Sequence, residues 1–65
     1  MKSLKTIKKL EIARKWNNRF ADANSQCTLK WDGRDFVLYH GQIPIADNPD
    51  ITELIKDCSE YFELN

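Results

Sequence analysis

The dipeptide Asp32-Gly33 constrains the fold of this chain more than any other local feature. It separates segments 26–31 and 34–40, whose side chains alternate between an apolar set and a more polar set. A two-residue type I′ turn prefers Asp-Gly, because both central residues must adopt positive φ. We therefore predict a β-hairpin that pairs Trp31 with Arg34, Lys30 with Asp35, Leu29 with Phe36 and Cys27 with Leu38.

A second tight turn fits at His40-Gly41 and adds a third strand over 42–46. It would pair Tyr39 with Gln42, Leu38 with Ile43 and Phe36 with Ile45. Alternation along the strands then divides the side chains between two faces. The apolar face holds Cys27, Leu29, Trp31, Phe36, Leu38, Ile43 and Ile45. The other face holds Gln26, Thr28, Lys30, Asp35, Val37, Tyr39, Gln42 and Pro44. Two independent turns give one apolar face, which predicts a three-stranded antiparallel meander.

An amphipathic helix is predicted on the N-terminal side of the meander, over 3–23. Ser3 suits the N-cap, and Asn24 suits the left-handed position that follows a helix C-terminus. The apolar positions of this helix are Leu4, Ile7, Leu10, Ala13, Trp16 and Phe20.

A second amphipathic helix is predicted over 49–63, with Asn48 as N-cap and Pro49 at the first helical position. Its apolar stripe is Ile51, Leu54, Ile55, Cys58 and Phe62. We expect one small α+β domain, 1–65, of order α-β-β-β-α, in which both helices pack on the apolar face of the sheet.

Chain length and cysteine usage indicate how stable such a domain is and in which compartment it functions. With 65 residues, its core is small and its stability marginal. The two cysteines make no disulfide framework, and no secretory signal or apolar run of about 20 residues is visible. We expect a cytoplasmic protein with reduced thiols and no membrane partner.

Catalytic and metal-binding chemistry finds little support in the sequence. The only histidine, His40, is assigned to a turn and could lie diagonally near Cys27, but that thiol points into the core. Cys27, His40 and Cys58 are too scattered for a metal site. We therefore expect no enzyme, no metal, no cofactor and no small-molecule substrate.

Charge is segregated along the chain, although the formal total is zero. In residues 1–20, seven cations oppose Glu11 and give +6; in 21–65, three cations oppose nine acids and give −6. A basic stripe occupies about one quarter of the circumference of the first helix, and we define it as Lys5, Lys8, Ile12, Lys15 and Arg19. Such a stripe suits nucleic-acid phosphates or an acidic protein surface, and also suits plain solvation.

The sheet face that the helices leave uncovered is a second candidate surface. We define this open sheet face by Thr28, Lys30, Val37 and Tyr39. An aromatic side chain among mixed polar neighbours is typical of the centre of an interface. A protein partner or a homodimer through this face is one interpretation, and a homodimer would also stabilise so small a chain. The alternative is that these are half-exposed strand residues without a partner.

Two further candidate surfaces are weaker. At the hairpin tip, Trp31 opposite Arg34 would form a cation–π pair that could anchor a partner. Along the second helix, a row of acids could imitate a nucleic-acid backbone and occupy a basic groove. This acidic row is Asp50, Glu53, Asp57 and Glu60.

The same α-β-β-β-α order is found in double-stranded RNA-binding domains, and the likeness is one of topology only. Those domains begin their second helix with lysines that grip phosphates, whereas this chain reads Asp47-Asn48-Pro49-Asp50 there. Carboxylates at that position would repel a nucleic-acid backbone, so we do not assign the chain to that family.

Together these features predict a non-enzymatic protein-interaction domain, an adaptor or a small inhibitor of a larger complex. Small chains with segregated charge and no chemical site are common among phage and mobile-element proteins, some of which block host defence systems such as CRISPR. The alternative is a nucleic-acid-binding protein that uses the basic first helix.

Overall fold

The computed structural model describes residues 3–63 and confirms an α+β fold with a three-stranded antiparallel meander. Met1, Lys2, Leu64 and Asn65, which the predicted domain includes, lie outside the described residues. The elements are α1 (Leu4–Asp22), β1 (Cys27–Trp31), β2 (Phe36–His40), β3 (Ile43–Asn48), α2 (Ile51–Asp57) and α3 (Ser59–Phe62).

Both predicted boundary residues of the first helix are confirmed. The Ser3 hydroxyl oxygen accepts a hydrogen bond from the Thr6 N–H at 3.2 Å, which satisfies one of the free N–H groups at the start of α1. After the helix ends, Asn24 adopts φ 56°, a left-handed conformation that asparagine tolerates better than most residues.

The first hairpin has a four-residue loop, 32–35, rather than the predicted two-residue turn. The Asp32 carboxylate accepts hydrogen bonds from the backbone N–H groups of Asp35, at 2.7 Å, and Arg34, at 2.8 Å. The Asp32 N–H donates to the Asp35 carbonyl at 3.1 Å, so the loop is closed from both sides. These bonds stabilise a wider loop and delay β2 until Phe36.

The predicted pairing of Trp31 with Arg34 is therefore wrong, since Trp31 pairs with Phe36 and Leu29 with Leu38. The error displaces the register by two residues, which is one full period of a strand. Every β1 and β2 side chain consequently keeps its predicted face.

Donation from the Asp35 and Arg34 N–H groups holds the pKa of the Asp32 carboxyl below its ordinary value. Because the folded pKa is lowered, the loop stabilises the fold above the unfolded pKa and loses this effect as pH falls through the folded pKa.

We expect Asp32→Ala to be less stable than wild type at about pH 7, and we expect the difference in the free energy of unfolding to narrow below about pH 4. Urea unfolding across pH checks this. A difference in the free energy of unfolding that does not change with pH would contradict the prediction. Asp22→Ala, at the exposed end of α1, is the control.

The second hairpin turns at Gly41-Gln42, one residue later than predicted, and contains a β-bulge. His40 pairs with Ile43 and Tyr39 with Pro44, but Leu38 then pairs with Ala46, which leaves Ile45 as an extra residue. A bulge interrupts strict alternation, so a face assigned by counting in twos fails beyond it. Ile45, the extra residue, is 39% exposed instead of lying in the predicted core. Ile43, also predicted in the core, precedes the bulge and keeps the face of Cys27, but it lies at the turn end of the sheet and is 67% exposed. Ala46 packs against the core in their place.

The predicted second helix is two short helices with a later start. Asn48 ends β3 instead of capping the helix, and its side-chain oxygen accepts the Asp50 N–H at 2.8 Å. Asp50 is the N-cap, accepting the Thr52 N–H at 2.8 Å. At Cys58 the backbone leaves helical geometry (φ −122°, ψ 36°), and α3 resumes at Ser59.

The core lies between the helices and one face of the sheet. Phe62 contacts Trp16 edge-to-face with ring centroids 4.9 Å apart, and Phe20 at 5.6 Å. These aromatic contacts join α3 to α1 over the sheet. The buried residues are Ala13, Phe20, Cys27, Leu29, Phe36, Leu38, Leu54 and Phe62.

One side chain of α1 also closes the outer edge of β1. The Asn17 side-chain amide donates to the Leu29 carbonyl at 2.9 Å, and its oxygen accepts the Leu29 N–H at 2.7 Å. Asn17 thus replaces a neighbouring strand at this position. It satisfies two backbone groups that an edge strand otherwise leaves free for pairing with another chain.

We expect Asn17→Ala to lower the free energy of unfolding by about 1–3 kcal/mol, because both Leu29 groups lose their partner in a part-buried position. Asn18→Ala is the matched control, since Asn18 is exposed on the same helix turn and should change stability by less than about 0.5 kcal/mol. Chemical denaturation measures both variants. Equal effects would contradict a specific role for Asn17.

Candidate functional site

The two cysteines and the histidine lie in different environments within the described residues. Cys27 lies opposite His40 across β1 and β2, directly rather than diagonally, yet Cys27 is buried and His40 is exposed near the Tyr61 ring at 5.9 Å. Both cysteines are free thiols. Burial, and then the charges of Asp57 and Glu60, raise the pKa of Cys58. An activated cysteine needs the opposite shift.

Neither a metal-binding cluster nor a membrane-spanning helix is present between Ser3 and Glu63. That part of the chain contains no group of three or more His, Cys, Asp or Glu side chains arranged to hold a metal ion. None of its helices has the length and apolar character needed to cross a bilayer.

The basic stripe keeps its cations in solvent. Lys5, Lys8, Lys15 and Arg19 are all exposed, whereas Ile12 is partly buried against the core and cannot serve as the stripe's free apolar anchor. The Arg19 guanidinium lies over the Trp16 ring, 5.0 Å from its centroid. Within 3–63 the structure records one ion pair, Lys56–Glu53, so the stripe is not neutralised by a described acid.

The hairpin tip differs from the prediction. Because Arg34 lies in the loop, the cation over the Trp31 ring is Lys9 of α1, whose Nζ is 5.2 Å from the Trp31 and Phe36 ring centroids. The same ammonium group donates to the Pro49 carbonyl at 3.3 Å. Lys9 therefore links α1 to the sheet by its ring contacts and to the segment before α2 by its hydrogen bond. The Trp31 Nε1 is buried and has no hydrogen-bond partner among residues 3–63.

The acidic row is interrupted rather than continuous. Asp50, Glu53, Asp57 and Glu60 are exposed, but the break at Cys58 separates Glu60 from the others. Asp50 is engaged as the N-cap of α2, and Glu53 lies 3.9 Å from Lys56. The four carboxylates therefore do not lie on one continuous helix.

The open sheet face is the surface that the structure brings together as predicted. Thr28 pairs with Tyr39 and Lys30 with Val37, so all four side chains share one face. The Lys30 Nζ lies 5.3 Å from the Tyr39 ring centroid, a cation–π contact on the surface. The helices α1, α2 and α3 bury their apolar residues against the opposite face of the sheet.

Two shallow depressions extend the open sheet face beyond the predicted residues. One is lined by Thr28, Lys30, Tyr39, Gly41 and Gln42. The other is lined by Val37, Pro44, Ile45, Ala46 and Asp47.

Sequence reasoning missed the isoleucines of β3 as surface residues. Ile45 borders the second depression, and Ile43 is exposed at the start of the strand. The available signal was Pro44, because proline within a strand marks an edge or a bulge. A bulge there would have freed Ile45 from the predicted core.

Comparison of the chain with models of known protein families, with curated proteins and with solved structures finds no match.

Proposed function

We propose that this chain is a non-enzymatic protein-interaction domain whose binding surface is the open sheet face. The observation that carries the proposal is one-sided packing: every buried core residue lies on the helix side of the sheet, and Tyr39 and Val37 remain part-exposed on the other.

The chemistry of this face favours a protein over a nucleic acid. Within the strands, its apolar area comes from Val37, Tyr39 and Pro44, and its charged residues are Lys30 and Asp47. Asp35, which the sequence placed on this face, lies in loop 32–35. A face with balanced charge does not attract a phosphate backbone. Burial of its apolar area would contribute about 25 cal/mol per Å², with Tyr39 supplying a rigid amphipathic contact.

Affinity capture from cells that naturally produce the chain, followed by mass spectrometry, tests the proposal. We expect Tyr39→Asp to reduce recovery of the specific partner at least about tenfold, because it places a charge in the interface centre. Leu4→Asp is the control, since Leu4 is exposed on α1. Circular dichroism should show both variants folded. Equal recovery by folded Tyr39→Asp and wild type would contradict the proposal.

Within this proposal, the partner recovered decides between an adaptor and a small inhibitor. The chain's size and segregated charge favour the inhibitor, of the kind that phage and mobile elements use against host defence systems such as CRISPR. Recovery of a defence nuclease complex would support that narrower function.

A second candidate function, nucleic-acid binding, is favoured by the exposed cations of the basic stripe. The described part of α1 offers Lys5, Lys8, Lys15 and Arg19 without an acidic partner. These positions span about 21 Å of helix, at about 1.5 Å per residue.

Titration of labelled duplex DNA and RNA at about 50 mM salt tests this second function, because phosphate contacts are strongest at low salt. If the stripe binds phosphates, Lys8→Glu with Lys15→Glu should abolish binding, whereas Tyr39→Asp should leave it intact. Absence of wild-type binding at this salt concentration would exclude the function.

A further inference from the structure

The open sheet face carries two rows of side chains that run across the three strands. Register pairing places Lys30 beside Val37 and Val37 beside Asp47, so one row reads cation, apolar, anion. The next row reads Thr28, Tyr39, Pro44 by the same pairing. Opposite charges thus flank an apolar centre on the two outer strands.

We propose that the occupant of the open sheet face is a second copy of this chain, packed face to face about a two-fold axis parallel to β2. This inference rests on the proposed function. Rotation about that axis places β1 of one copy over β3 of the other. Each Lys30 then meets the partner copy's Asp47, and Val37 and Tyr39 meet their own equivalents at the axis.

The placement of the charges selects this axis over the other symmetric arrangement. A two-fold axis across the strands that passes through the row of Lys30, Val37 and Asp47 would lay β1 over β1, and it would bring the two Lys30 side chains together and likewise the two Asp47 side chains. Like charges facing each other are unfavourable, whereas the axis along β2 forms two opposite-charge pairs. The face is therefore self-complementary in one orientation.

The area of the open sheet face limits the expected affinity of dimerisation. Three strands about 4.8 Å apart and about 17 Å long present on the order of 250 Å². A stable interface buries about 800 Å² on each partner. We therefore expect a reversible dimer with a dissociation constant on the order of 100 µM, which requires measurement up to about 1 mM.

Sedimentation equilibrium of four samples tests the inference: wild type, Lys30→Glu, Asp47→Lys, and an equimolar mixture of the two variants. Both side chains are exposed, so the variants should fold. Each variant alone faces two repulsive pairs and should dimerise at least about tenfold more weakly than wild type. The mixture restores two opposite-charge pairs and should dimerise like wild type.

The Lys30→Glu/Asp47→Lys double variant should also dimerise, because the exchange of charges preserves complementarity. A wild type that is monomeric at about 1 mM would overturn the inference, and so would single variants that dimerise as wild type does, or a mixture no stronger than its components. If wild type is monomeric while Tyr39-dependent capture of another protein persists, only the dimer fails and the proposed function stands. If capture is also independent of Tyr39, both fail.

Discussion

One-sided burial is the constraint on which the rest of this structure depends. The described helices cover one face of the three-stranded sheet, and the aromatic cluster of Trp16, Phe20 and Phe62 packs on that side. Because burial of apolar area is the dominant favourable term in folding, this cluster decides where the helices pack. The opposite face is left without a helical layer as a consequence, and this open sheet face is the candidate binding surface.

The two edges of the sheet are protected by different means. On β1, the Asn17 side chain occupies the backbone groups of Leu29. On β3, Pro44 lacks an N–H and the bulge at Ile45 breaks the regular ladder. Both devices discourage uncontrolled strand addition, which is a hazard for a small open sheet. The flat face is therefore better suited to a specific partner than either edge.

Electrostatic organisation separates two kinds of surface on a molecule with zero net charge. The basic stripe of α1 keeps several cations in solvent, while the open sheet face has balanced charges around an apolar centre. A field of one sign acts at long range and depends on salt; a balanced face acts by contact and orientation. The two surfaces would therefore respond to different partners, which lets mutation distinguish their roles.

The sequence by itself determined the element order, the α1 caps at Ser3 and Asn24, and the faces of β1 and β2, because these follow from local hydrogen bonding and period-two alternation. The assignment of side chains to faces survived a wrong turn length, because the register error equalled one full strand period. Only the tertiary structure decided that β3 bulges, that the second helix breaks at Cys58, and that Lys9 rather than Arg34 covers Trp31. Those outcomes depend on packing between distant segments, which leaves no periodic signature in the chain.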